Sequence, residues 1–179
     1  ADWLWRASIA GIDQDAPFSA FPGCDRELVL LAGEGMHLQF EDGERERVAL
    51  MPPHDRLRFA GEAQVTGELV DGVTHDFNLM WRRDAVQAEL LHRPLVGSMF
   101  FFTEPGAAWA IHLLAGQAEF EGEPSLAPLA AGAGVQILRQ AGGPAGRRVG
   151  QWASRQRVAK QEDSRCAHLS RDPRVRKVP

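Results

Sequence analysis

The stretch HDFNLMWRR, from His75 to Arg83, alternates with the two-residue period of a β-strand. Successive strand residues point to opposite faces, so its apolar side chains share one face and its mostly polar side chains share the other. The apolar set is Phe77, Leu79 and Trp81, and the second set is Asp76, Asn78, Met80 and Arg82. Because these side chains are large and apolar, we expect them to be buried in a hydrophobic core. The pattern leaves two positions open for the polar face, the solvent side of a sheet or the lining of a pocket.

Short strand-like runs continue along most of the chain, separated by turns that contain Gly or Pro. No run shows the i, i+3, i+4, i+7 apolar stripe of an amphipathic helix. Asp42-Gly43, between the runs MHLQF and RERVAL, is the strongest hairpin signal. About a dozen closely spaced strands predict an all-β antiparallel sandwich or barrel. A jelly roll is favoured, because the Cys, Trp, Cys spacing of immunoglobulin domains is absent.

Two stretches of the chain share a rhythm, ELVLLAGEGMHLQFEDG at 27–43 and WAIHLLAGQAEFEG at 109–122. In both, an apolar strand runs into Ala-Gly, a second strand follows, and an acidic turn with Gly ends it. This repetition is a first indication of two similar β-lobes, although the rhythm alone leaves a single lobe open.

The net charge of −4 over 179 residues hides an uneven distribution. From Arg139 onward the chain carries 11 Lys and Arg residues against three acidic residues. We therefore interpret residues 1–140 as the β domain and 141–179 as a basic, mobile extension. An arm that binds nucleic acid is the alternative, but Trp152 is the single aromatic residue of this segment, and stacking platforms need several. A nucleic-acid partner is therefore not expected.

Other functional classes lack their signatures. The chain has no apolar run of membrane-spanning length, and its two cysteines form no disulfide framework, so we expect a cytoplasmic protein without a membrane partner. Its six histidines include no His-x-His pair, and neither a Gly-x-Ser-x-Gly nucleophile nor a phosphate-binding loop occurs. We expect no catalytic residue, no metal and no cofactor. Exposed strand edges favour a homodimer.

One loop, DAPFSAFPGCDREL at 15–28, is unusually rich in aromatic residues. Phe18 and Phe21 fit either a structured turn that inserts both rings into the core or the wall of a pocket, with the Ser19 hydroxyl at its rim. The neighbouring Asp25 and Arg26 are interpreted as a local ion pair that braces the turn.

Three blocks of the chain resemble the HutD/Ves family: WRASIAGIDQDAPFSAFPGCDRELVLLAGEGMHL at 5–38, FAGE at 59–62 and DFNLMWRR at 76–83. The resemblance implies a cupin-type double jelly roll, or bicupin, associated with bacterial histidine utilisation. It also implies a non-catalytic regulatory accessory that binds small compounds such as urocanate or formylated glutamate. Family members usually begin with a Gly-rich segment ending in Thr-Arg-Glu, which we expect to be missing here. The Arg-rich tail also departs from the family pattern.

This resemblance makes the polar face of the opening strand a candidate site for a small anionic metabolite. We expect Arg82, with Asn78, to meet a carboxylate or formyl oxygen, because a guanidinium offers a carboxylate two parallel donors. Asp76 would orient Arg82, while Arg6 and Ser8 share a face of the N-terminal strand and would approach from there. The alternative is a cupin-type enzyme acting on a small carboxylic acid, with Asp76 as its base.

Overall fold

The computed structural model describes residues 3–41, 43, 47–94, 97–102, 106–121, 126–132, 135–139, 150–154 and 164–170, the last three ranges as backbone strands. Within these residues the secondary structure is all β, as predicted. None of the described residues forms a helix that is long and apolar enough to cross a membrane. The strands, in chain order, are β1 (Trp5–Ile12), β2 (Ala16–Pro17), β3 (Cys24–Ala32), β4 (Met36–Phe40), β5 (Val48–Leu50), β6 (Arg56–Ala60), β7 (Val65–Leu69), β8 (Thr74–Arg82), β9 (Gln87–His92), β10 (Ala108–Leu113), β11 (Gln117–Ala118), β12 (Leu129–Ala130), β13 (Val135–Arg139), β14 (Gly150–Ser154) and β15 (Ser164–Ser170).

The chain divides into two compact units. The first comprises Ala1–Asp84 with Arg148–Arg157, and the second comprises Ala85–Arg147 with Val158–Pro179. Strands β1 to β8 and β14 belong to the first unit, and the remaining strands belong to the second.

The first unit is a sandwich of two sheets. One sheet has the order β14-β1-β8-β3-β6, and the other has the order β2-β7-β4-β5. Neighbouring strands are antiparallel except β1 and β14, which run parallel. The opening stretch therefore forms β8, the central strand of the five-stranded sheet.

The core between these two sheets follows from simple alternation. In β4, Met36, Leu38 and Phe40 are buried, and the residues between them are more exposed. They pack with side chains of both sheets, including Leu28 and Leu30 of β3. Apolar residues at every second position thus hold the sandwich together.

The predicted hairpin joins β4 to β5. These strands pair antiparallel, with Met36 opposite Leu50, and residues 41–47 connect them. Gly43 has a φ of +67°, in the left-handed region that glycine adopts without a Cβ clash. The connection is longer than a two-residue turn, and Asp42 lies outside the described residues.

The sheet buries both faces of β8. Phe77, Leu79 and Trp81 are at most 3% exposed, as expected for core residues, and Asp76 and Met80 on the opposite face are 2% exposed. Asn78, which lies between Asp76 and Met80 on that face, is half-buried. The sequence leaves open whether the polar face is a solvent side or lines a pocket, and the burial of Asp76 and Met80 excludes a solvent side at these two positions.

The second unit contains a four-stranded antiparallel sheet of order β13-β10-β15-β9 and the strand pair β11-β12. Its core contains Ile111, Leu113 and Leu129, with Phe101 and Trp109 packed against them. The rings of Phe101 and Trp109 meet edge to face, with centroids 5.3 Å apart.

Part of the basic segment from 141 onward forms strands. Gly150–Ser154 pairs with β1, and Ser164–Ser170 lies between β10 and β9. Its other residues, and therefore the predicted mobility of the extension, lie outside the described residues.

Truncating a residue of the first unit's core should test its contribution to stability. Leu38→Ala should lower the free energy of unfolding by about 2–5 kcal/mol, because Leu38 is fully buried and the lost methyl groups leave a cavity. Urea unfolding measures this change. Val70→Ala, at a side chain that is 46% exposed, is the control and should stay within about 0.5 kcal/mol of the wild type. Equal losses in both variants would contradict the assignment of this core.

Candidate functional site

Strand register brings a row of polar side chains onto one face of the five-stranded sheet. Residues that lie opposite each other in neighbouring strands project to the same side. Arg6 of β1 and Arg26 of β3 both lie opposite Met80 of β8. Ser8 lies opposite Asn78 in the same way. These four polar residues, together with Asp76, therefore share one face, which is called the inner polar face below.

The inner polar face points between the two sheets of the first unit. Asn78 lies opposite Leu28, and Asp76 lies opposite Leu30. Both leucines are fully buried members of the core that joins the sheets. The polar side chains therefore line the interior of the sandwich, beside its apolar core.

Arg26 is a charged residue inside this interior. It is 2% exposed, and its guanidinium carbon lies 4.7 Å from the ring centroid of Phe18 and 5.0 Å from that of Phe59. Burial lowers the pKa of Arg26 to about 10, and the charge of Asp76 opposes this effect. The side chain therefore stays cationic at neutral pH. The two rings stabilise the charge through their negative faces.

Phe59 and Phe18 approach the guanidinium from different sheets. Phe59 lies on β6, opposite Arg26, while Phe18 follows β2 and donates its backbone N–H to Val65 O at 2.8 Å. Gly67 of β7 makes room for the ring, because a Cβ at this position would lie 3.0 Å from Phe18 Cε2. A side chain at position 67 would therefore press on the Phe18 ring that lies over Arg26.

Asp76 is the acidic member of the face. It is 2% exposed, and burial raises the pKa of its carboxyl to about 7. The positive charge of Arg26 and a backbone hydrogen bond from Ala10 act in the opposite direction but are outweighed. Asp76 is therefore divided between its neutral and ionised forms near neutral pH, so it can donate or accept a hydrogen bond.

Several polar atoms on this face are buried without a hydrogen-bond partner among the residues that the structure describes. They are Arg6 Nε, Arg26 Nε, Asp76 Oδ1 and Asn78 Oδ1. Most buried polar atoms in folded proteins are paired, since an unpaired one costs about 1–3 kcal/mol. Two donors and two acceptors on one face make this face the candidate site for a polar ligand.

The structure places the residues predicted from sequence in different positions. Arg6, Ser8, Asp76 and Asn78 come together on the inner polar face, and Phe18 covers the guanidinium of Arg26. The interpretation of Arg26 as a local ion-pair partner of Asp25 is wrong, because the two residues point to opposite faces of β3 and Asp25 pairs with Arg58 and Arg83. A usable signal existed, because Arg26 precedes Leu28 and Leu30 at a spacing of two in a strand whose alternation marks the inner side.

Three other predicted site residues lie away from the buried group. Arg82 is at the exposed end of β8, where Nη2 lies 2.8 Å from Asp84 Oδ2 and Nε lies 3.2 Å from Asp84 Oδ1. Asp84, and not Asp76, therefore orients Arg82. Ser19 is exposed, and the half-buried Phe21 ring lies 6.3 Å from that of Trp3.

Asp25 belongs to a separate surface network. It accepts from Arg58 at 2.9 Å and from Arg83 at 3.0 Å. Arg83 also donates to both carboxylate oxygens of Glu62 at 2.7 and 2.8 Å and to Cys24 O at 2.7 Å. This network joins the end of β8 to the start of β3 and contributes no group to the inner polar face.

A metal centre would need several ligands close together. In the part of the chain that the structure describes, no three His, Cys, Asp or Glu side chains are grouped in this way. His37 of β4 lies between the core residues Met36 and Leu38 and so points away from the core.

Comparison with known proteins identifies the family. The model of the HutD family matches residues 1–149. The chain belongs to the HutD family. The resemblance seen in the sequence is thereby confirmed, and this relation suggests an association with histidine utilisation.

Curated relatives match about half of this HutD-family chain. An uncharacterized 21.2 kDa protein in the hutC 3′ region of Pseudomonas putida is 41% identical over 86 residues, which are 48% of this chain and 44% of that protein. Protein Ves of Escherichia fergusonii is 36% identical over 90 residues, covering 50% of this chain and 46% of Ves. The matched region thus spans about half the length of these relatives.

Two solved structures share the fold. HutD from Pseudomonas fluorescens SBW25, in a formate condition, has a TM-score of 0.64 and 24% identity, covering 93% of this chain and 78% of that one. A conserved protein of unknown function from Pseudomonas aeruginosa PAO1 has a TM-score of 0.62 and 22% identity, covering 94% of this chain and 76% of that one. At these identities the similarity supports the fold alone.

Replacing Asp76 should change how stability depends on pH. The folded-state pKa of about 7 lies above the ordinary aspartate value of 3.8, so ionised Asp76 destabilises the fold. From about pH 4 to about pH 7, the wild type should lose roughly 4 kcal/mol relative to Asp76→Asn. Above that range the difference should level off. Urea unfolding at several pH values measures it. A difference that stays constant over the range would contradict the buried, pKa-shifted carboxyl.

Proposed function

We propose that the first unit binds a small anionic metabolite of histidine degradation on its inner polar face and acts as a non-catalytic regulatory accessory. Urocanate and formylated glutamate are the candidate ligands. The observation that carries this proposal is the buried guanidinium of Arg26, held between Phe18 and Phe59 with an unpartnered Nε.

The charges on this face favour an anion. Arg6 and Arg26 lie on either side of Met80, and each presents a buried Nε without a partner. A guanidinium binds a carboxylate through charge-assisted hydrogen bonds, which are roughly twice as strong as neutral ones. A carboxylate held by Arg26 would therefore compensate part of the cost of burying this guanidinium.

The other end of the face fits a hydrogen-bond donor. Asn78 Oδ1 is an acceptor without a hydrogen-bond partner among the described residues, and Asn78 precedes Met80 by two residues on β8. Side chains at this spacing on one strand lie about 7 Å apart. An acid that also carries an N–H group, such as a formamide or an imidazole, would match both ends.

The two units fit the two lobes of a bicupin. In the first unit β3 leads through Ala32-Gly33 to a strand of the other sheet, and in the second β10 leads through Ala115-Gly116 to the β11-β12 pair. Both glycines have positive φ, +109° and +75°. The repeated rhythm in the sequence thus corresponds to a repeated strand, turn and strand, which supports the double jelly roll.

Three further parts of this proposal rest on the sequence. They are a cytoplasmic location, a homodimer that covers exposed strand edges, and a basic extension from residue 141 onward. Light scattering of the purified chain would distinguish the dimer from a monomer.

A cupin-type enzyme acting on a small carboxylic acid is the second candidate function. The favouring observation is the raised pKa of Asp76, about 7, since a general base works best when its pKa is near the working pH. Such an enzyme would change its ligand chemically. Proton NMR of urocanate and N-formylglutamate incubated with the protein distinguishes the two functions, because a binder returns both compounds unchanged.

Arg26 should dominate the affinity for a carboxylate. A thermal-shift screen of urocanate and N-formylglutamate should give stabilisation of about 2.7 kcal/mol at a concentration near 100 times the Kd. Arg26→Met keeps an unbranched side chain and removes the guanidinium. It should raise the Kd by about 10- to 150-fold, the effect of losing a charge-assisted hydrogen bond.

Arg82→Met is the matched control for this experiment. Its guanidinium is 44% exposed and held by Asp84, so its removal should leave the Kd unchanged. The sequence alone favours Arg82 as the anion contact, and the two variants separate these hypotheses. Loss of affinity in Arg82→Met with none in Arg26→Met would contradict the proposed site.

Binding should not require a metal ion. The proposed contacts are hydrogen bonds from side chains of the inner polar face, so treatment with a chelator should leave the Tm and the Kd unchanged. Elemental analysis of the purified protein before and after treatment completes the measurement. Stoichiometric zinc, iron or manganese that is lost together with binding would contradict this prediction.

A further inference from the structure

We propose that anion binding on the inner polar face is coupled to proton uptake, with Asp76 donating a hydrogen bond to the bound carboxylate as a neutral acid. This inference rests on the proposed function and adds regulation by pH to the same site. The affinity for a carboxylate would then fall as the pH rises.

Asp76 lies close enough to Arg26 for their charges to interact, so a carboxylate held by Arg26 would come near it. The residue is 2% exposed, and its Oδ1 has no hydrogen-bond partner. It shares the inner polar face with Asn78, Arg26 and Arg6, the groups proposed to hold the ligand. A carboxyl group in this position either donates a hydrogen bond to the ligand or repels it.

The charged groups around Asp76 determine which of these occurs. Arg6 on β1 and Arg26 on β3 share its face, and both are cationic. The described core residues on β6 and on the opposite sheet do not titrate: Leu57, Phe59, Met36, Leu38, Phe40, Val48, Leu50, Val65 and Leu69. No second described carboxyl faces Asp76, so a bound anion would be the other negative charge at the site.

Linkage then gives the direction of the effect. Burial already raises the pKa of Asp76 to about 7, and a ligand carboxylate nearby would raise it further, because two like charges in a low-dielectric interior repel each other. The coupling is reciprocal, so the protonated form of the site binds the anion more tightly. Above about pH 7 the Kd should therefore rise by up to about tenfold per pH unit.

Formate is a suitable probe, because it is a carboxylate without another titratable group and stays ionised throughout this range. Its Kd for the full chain, measured by thermal shift between about pH 6 and pH 9, should increase with pH. Calorimetry at about pH 7.5 in two buffers of different ionisation enthalpy should show that binding takes up a fraction of a proton, which approaches one at higher pH. This second measurement uses the wild-type protein and does not depend on any variant.

Two variants test whether Asp76 causes the pH dependence of formate binding. Asp76→Asn is nearly isosteric and donates a hydrogen bond at every pH, so it should bind formate with a Kd that does not change over the range. Asp71→Asn, at an exposed turn, is the matched control and should keep the wild-type pH profile.

The outcomes also separate this inference from the proposed function. Formate that binds through Arg26 with the same Kd at every pH and no proton uptake would overturn the coupling and leave the binding site intact. The same holds if Asp76→Asn keeps the pH dependence of the wild type. Absence of formate binding at any pH, or binding that Arg26→Met does not weaken, would overturn both.

Discussion

A guanidinium held between two phenyl rings inside a β-sandwich is the constraint on which the first unit depends. Arg26 extends from β3 into the interior, and the rings of Phe18 and Phe59 lie over it at 4.7 and 5.0 Å. Phe59 lies on one sheet, and Phe18 is hydrogen-bonded to the other. The cation therefore contacts side chains from both layers at a position where apolar residues would usually pack. A desolvated cation–π contact contributes about 2 kcal/mol, which offsets only part of the cost of burying the charge. Gly67 completes the arrangement by leaving space for Phe18.

The interior of this unit therefore has an apolar part and a polar part, which follow one another along the strands. Leu28 and Leu30 continue β3 into an apolar core, while Arg26 on the same face lies in a polar part. On β8 the same face carries Asn78 and Asp76, with acceptor atoms that have no partner. Such unpaired groups reduce stability, and proteins accept this cost mainly where a binding site requires it. The raised pKa of Asp76 has the same origin, since burial outweighs the attraction of Arg26.

Much of the fold could be predicted because its strands alternate clearly. The period of two in WRASIAGI and HDFNLMWRR predicts strands, and these residues form β1 and β8 in antiparallel register. The pairing of β4 with β5 follows from the Asp-Gly signal between them. The site was predicted only in part. Strand periodicity correctly groups Asp76 with Asn78, but it cannot show that Arg82, on the same face, lies beyond the covered part of the sheet.

The sequence by itself determined the all-β architecture, the family and the sets of side chains that share a face, because these follow from local periodicity and from motif spacing. Only the tertiary structure decided which face is internal and which arginine is buried. That choice depends on the second sheet, since β2, β7, β4 and β5 cover the face that carries Arg26 and Asp76. Contacts between the sheets bring together residues that are far apart in the chain, such as Phe18, Arg26 and Phe59. A local sequence pattern cannot predict these contacts.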